Sequence, residues 1–133
     1  SALTANRTAG APGLSPAVGL RLVGGRLTVY HRVLRRFVEH HGADAQRLRE
    51  ASMAGEADEI ARLCHSLKGV AGAVGAQSLA AQAARVEAGL RGRQAPGTLL
   101  LDEPLAPDEV LALANQLEAI LAAIDTALPE SPA

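Results

Sequence analysis

The sequence predicts an all-α domain, an antiparallel four-helix bundle preceded by a short N-terminal helix. Three observations predict it. Alanine and leucine supply 28 and 20 of the 133 residues while aromatics are 2%, which suits packed helices and leaves little for a sandwich or barrel. Apolar residues recur at steps of three and four in several stretches, with glycine or proline between them. At 48% hydrophobic residues the chain can build one core, and its length suits a single domain.

Taken in order, residues 1–13 are small, polar and broken by Gly10, Pro12 and Gly13, which predicts a flexible linker or an expression remnant. The absence of an initiator methionine points to a piece of a longer protein. Ser15 can cap a short helix with Pro16 in its first turn, and Val23, Gly24 and Gly25 end it. From about Arg26 to His41, Leu27, Tyr30, Leu34, Phe37 and His41 form one stripe, with His31 expected at the surface. Gly42 marks a stop or bend, and Asp44 to Ala54 resumes with Leu48 and Ala51 inward.

The next helix is predicted from about Glu56 to Val74 with Gly75 as its C-cap, and another from about Ser78 to Arg91 with Leu79, Ala83, Val86 and Leu90 in register. Gly92 to Ala106 reads as a loop because of Gly92, Pro96, Gly97 and Pro104. The last helix opens at Pro107, with Asp108 and Glu109 at its positive end. It carries Val110, Leu113, Leu117, Leu121, Ile124 and Leu128 and stops before Pro129. The domain is thus expected over 14–128, with 129–133 a disordered tail.

Several function classes are disfavoured. A net charge of −1 offers no basic footprint for nucleic acid. No apolar run is long enough to span a membrane and no signal peptide is visible. The single cysteine, Cys64, cannot form an internal disulfide and fits a reducing compartment. A cytoplasmic domain is expected, monomeric when isolated and without direct membrane contact, although its parent protein could be membrane-anchored. There is no phosphate-binding glycine loop, paired-carboxylate arrangement, nucleophile triad or metal-ligand spacing, so no enzyme activity, metal site or cofactor of its own is expected.

The helix Ile60–Val74 carries the strongest local signal. At about 100° per residue, Ile60, Leu63, Leu67, Val70, Ala71 and Val74 share one face with Cys64 at its margin, and His65 falls nearly opposite. Around His65 lie Ala61 and Arg62 before it and Lys68, Gly69 and Gly72 after it. Two glycines in an exposed helix each cost about 0.5–1 kcal/mol relative to alanine, and they clear bulk from around the imidazole. Twelve of the thirteen basic residues are arginine, and the one lysine, Lys68, stands one turn from His65. An exposed imidazole beside a flexible cation on a cleared surface suits a histidine that accepts and donates a phosphoryl group.

His65-Ser66-Leu67-Lys68-Gly69, followed by Ala71-Gly72 and Gly75-Ala76, resembles the HxLKG–AG–GA signature of histidine-containing phosphotransfer (HPt) domains. Upstream, Gly19-Leu20, Gly24, Tyr30, Leu34 and Phe37 are similar to the run that precedes that site, so the resemblance spans about Leu14 to Leu90. It implies a four-helix bundle in which His65 is the phosphoacceptor, Lys68 steadies the phosphoryl oxygens and Gly69 keeps the surface open to the partner. It also implies that Glu87 orients the imidazole and that Arg91 assists docking, with Ala61, Arg62 and Gly72 in the partner's footprint. The implied partners are receiver domains of response regulators, which supply the Mg²⁺. The implied context is a phosphorelay, as a module of a hybrid sensor histidine kinase. The chain would carry phosphate without phosphorylating itself.

Other readings compete. His40 and His41 point about 100° apart and suit a helix C-terminus better than a shared metal. Cys64 and His65 diverge likewise, so Cys64 reads as a small apolar residue rather than a catalytic thiol. Arg32, Arg35 and Arg36 form a basic flank, by default a solvated surface. The rival from another class is a helical adaptor or scaffold that binds a signalling partner with no phosphate involved.

Overall fold

A computed structural model describes residues 14–94 and 107–128, and those residues are helical with no strand among them. The short helix α1 spans Pro16–Leu22, and the Ser15 hydroxyl accepts from the Val18 N–H at 3.4 Å. Gly24 and Gly25 end it in left-handed conformations, φ 66° and 78°. Helix α2 (Leu27–His41) and helix α3 (Asp44–Ala54) follow. Gly42 and Ala43 between them keep right-handed helical angles, so the glycine bends the path without stopping it. Helix α4 (Ala57–Ala71) tightens into a 3₁₀ turn (Gly72–Val74), and Gly75 closes it at φ 87°. Helices α5 (Gln77–Gln94) and α6 (Pro107–Ala127) complete the chain.

The expected boundaries need two corrections. The α-helix ends at Ala71 rather than Val74, the last three residues forming the 3₁₀ turn. Helix α5 runs past Arg91 and through Gly92. A lone glycine costs about 1 kcal/mol in a helix but leaves the hydrogen-bond ladder intact, unlike a proline. The expected linker 1–13 and tail 129–133, and residues 95–106 of the expected loop, lie outside the described residues.

The most extensive packing joins α4 to α5, followed by α3 to α6. Contacts of α3 with α4 and of α5 with α6 give each of these four helices two neighbours, and α2 lies against α6 and the 3₁₀ turn. The core between them includes the fully buried Leu34, Leu48, Leu67, Leu79, Leu117 and Ile120. Two residues are more buried than their pattern suggested. Cys64 is completely inside. His31 is 9% exposed rather than at the surface, because it stands four residues after Leu27 and three before Leu34 and so shares their face.

One end of the bundle is tied by α1. The Ser15 N–H donates to the Gly75 carbonyl at 2.7 Å, and the buried Tyr30 hydroxyl donates to the Val74 carbonyl at 2.8 Å. A Cβ at Gly19 would overlap the Tyr30 ring, and one at Gly75 would overlap the Ser15 carbonyl oxygen. The turn between α4 and α5 is thereby held from the N-terminal side.

Candidate functional site

On α4, Ile60, Leu63, Cys64, Leu67 and Ala71 turn inward and fix the helix's rotation. His65 is thereby carried outward, its side chain 65% exposed. On α5, Leu79, Ala83, Val86 and Leu90 are buried, and Glu87 follows Val86 into the same seam at 3% exposure. The α4–α5 packing brings the two residues together: His65 Nδ1 lies 2.9 Å from Glu87 Oε2. An ionised carboxylate only accepts, so Nδ1 carries the proton and Nε2 is the nitrogen on the open side.

Glu87 serves two further donors. The Lys68 ammonium bonds Oε1 at 2.6 Å, and Arg91 Nη2 bonds Oε2 at 3.0 Å. Burial alone would raise the pKa of this carboxyl group. The Lys68 hydrogen bond outweighs burial, and with help from Arg91 and His65 it holds Glu87 below the usual carboxylate range. Four of the residues singled out in the sequence therefore form one hydrogen-bonded cluster. Burying the carboxylate orients it, and the cations on its rim keep it charged.

The other candidates fall around this cluster in different ways. Gly69 lies one turn beyond His65 on α4 and Gly72 opens the 3₁₀ turn that follows, and a Cβ at either would meet nothing within 4 Å. The bundle does not require glycine there. Gly89 and Gly92 on α5 are equally open, so openness gains meaning only through position beside the imidazole. Ala61 is half-buried against the core. Arg62 is exposed but held by Glu59 through two hydrogen bonds, 3.0 and 2.5 Å. Lys68 is 37% exposed and Arg91 64%.

Two features were not anticipated. Lys68 reaches Glu87, whereas its spacing from His65 points only to a group held on the imidazole. The available signal was compositional: Glu87 is the single acidic residue of α5, one helix away from the single lysine of the chain. At the bend between α2 and α3, His41 Nδ1 donates to the buried Asp44 at 2.7 Å, and Arg47 bonds the other oxygen at 3.2 Å. That arrangement answers the expectation for His40 and His41: His41 is an anchor of the bend, and His40 is exposed beside it. Cys64 is unsuited to nucleophilic work, because burial, with a smaller push from the Glu87 charge, raises its thiol to about 12.

Among the described residues no three His, Cys, Asp or Glu side chains cluster as metal ligands, and no helix is long and apolar enough to cross a membrane. A family model described as "Hpt domain" matches residues 32–127, more than two thirds of the chain. Comparison with curated proteins and with solved structures gives no match.

Proposed function

Because the chain belongs to the Hpt domain family, the phosphocarriers of histidine phosphorelays, we propose that His65 accepts a phosphoryl group from a receiver-domain aspartate and returns it to the aspartate of another receiver. The observation that carries this reading is an exposed imidazole whose Nδ1 is bound to a buried carboxylate. In the step itself, the lone pair of Nε2 attacks phosphorus and the bond from phosphorus to the aspartyl oxygen breaks. The released carboxylate keeps that electron pair, and Nδ1 retains its proton against Glu87. Little covalent work falls to the bundle, which positions the ring and stabilises charge.

Lys68 lies one turn from His65 and offers a point charge to the phosphoryl oxygens. Gly69 and Gly72 leave room for the receiver to approach, and Arg91, Arg62 and Ala61 border its footprint. Mg²⁺ and the acidic pocket belong to the receiver, so the chain works as a carrier and needs no metal of its own. The setting we propose is the cytoplasmic relay of a hybrid sensor kinase.

The test is a transfer assay. Receivers charged with labelled phosphate are mixed with the chain and Mg²⁺, beside His65→Gln. Acid-labile, base-stable label on the wild type alone is the expected result. Failure of every receiver, while an established phosphotransfer domain is charged in parallel, would leave a helical adaptor as the better reading.

A further inference from the structure

The two oxygens of Glu87 divide their partners unevenly. Oε2 takes His65 Nδ1 and Arg91, while Oε1 takes Lys68 in the shortest contact of the cluster, 2.6 Å. The lysine that stands beside the acceptor histidine is therefore already engaged by an anion inside the bundle. A phosphoryl group on Nε2 would be a second anion within reach of the same ammonium, since Lys68 is one turn from His65 and sits on a flexible stem.

From this arrangement we propose that Glu87, beyond holding the imidazole, competes with the phosphoryl group for Lys68 and so sets how strongly the chain retains phosphate. The inference rests on His65 being the acceptor. Glu87 is a positioning residue in this scheme, acting through Lys68 on the charge around His65. Its competition keeps the phosphorylated state from becoming a sink, which favours handing the group on in either direction.

The groups that face this carboxylate are His65 and Lys68 from α4 and Arg91 from its own helix, with the Cys64 thiol buried nearby. Helix α6, the other neighbour of α5, turns the apolar Val110, Leu113 and Leu117 inward. Replacing Glu87 by glutamine keeps an oxygen for Nδ1–H and removes the charge that holds Lys68.

The experiment measures the equilibrium ratio of phosphorylated chain to phosphorylated receiver for wild type, Glu87→Gln, Lys68→Gln and the double variant, with His65→Gln as control. Circular dichroism verifies that all are folded. Glu87→Gln is expected to raise the ratio about three- to fivefold, the range of a partly exposed ion pair. In the Lys68→Gln background the same change should have no effect, the signature of a coupled pair. A ratio that falls or stays level in Glu87→Gln, with the wild type labelled, overturns the proposal and leaves the phosphoacceptor reading standing. An equal rise in the Lys68→Gln background also overturns it, since the carboxylate would then repel the phosphoryl group directly. No His65-dependent label on the wild type overturns both.

Discussion

A carboxylate at 3% exposure stays charged only if its neighbours supply the opposite charge, and Glu87 has Lys68, Arg91 and the imidazole N–H to do so. Its pKa is held below the ordinary 4.5, so on acidification the unfolded chain takes up its proton first. The stability this cluster contributes is complete above that value and is lost as pH falls through the lower folded-state pKa. In urea unfolding, the stability advantage of wild type over Glu87→Gln should therefore shrink as pH drops below 4.5; an advantage that stays constant would contradict it. Cys64 gives a second expectation at this scale. With its thiol raised to about 12 and no exposed surface, it should resist a disulfide reagent at neutral pH and react promptly in denaturant.

The glycines differ in what a side chain at each would meet. On α4, Gly69 has open space where a side chain would go. Gly69→Ala should therefore stabilise the protein by about 0.5–1 kcal/mol, and a bulky residue there should slow transfer while the fold survives. Gly19 and Gly75 behave oppositely, because a Cβ at either would run into Tyr30 or the Ser15 carbonyl. Gly75→Ala should cost more than about 1 kcal/mol through its positive φ as well as the clash, and thermal denaturation of these two alanine variants tests the contrast. In the sequence these glycines look alike. The place of Gly69 one turn beyond His65 is readable from spacing alone, whereas the close approach at Gly19 depends on how α1 lies on α2, which no local pattern reveals.

For the molecule as a whole, the apolar periods of α2 to α6 sufficed to predict an all-helical fold, because burying each stripe leaves few arrangements. The periods also determined which way His65 points, since the rotation of α4 follows from Ile60, Leu63, Leu67 and Ala71. What they could not determine was register between helices. That Glu87 meets Lys68 as well as His65, and that Arg49 reaches Asn115 and Glu118 across from α3 to α6, depends on axial offsets set by the whole core. The exposed Arg49–Glu118 pair contributes little, about 0–1 kcal/mol, so the core must hold those offsets. Leu117→Ala, at a fully buried position of α6, should cost about 2–5 kcal/mol in chemical denaturation.

Tyr30 is the only tyrosine and there is no tryptophan, so the protein carries a single built-in fluorophore at the α1 end of the bundle. Its phenol donates to the Val74 carbonyl, and burial raises its pKa to about 12. Ultraviolet absorbance therefore reports one place: the junction of α1, α2 and the turn between α4 and α5. Tyrosinate absorbance appearing well below pH 12 would signal release of that junction, and the emission of the native protein would follow its opening without any added label.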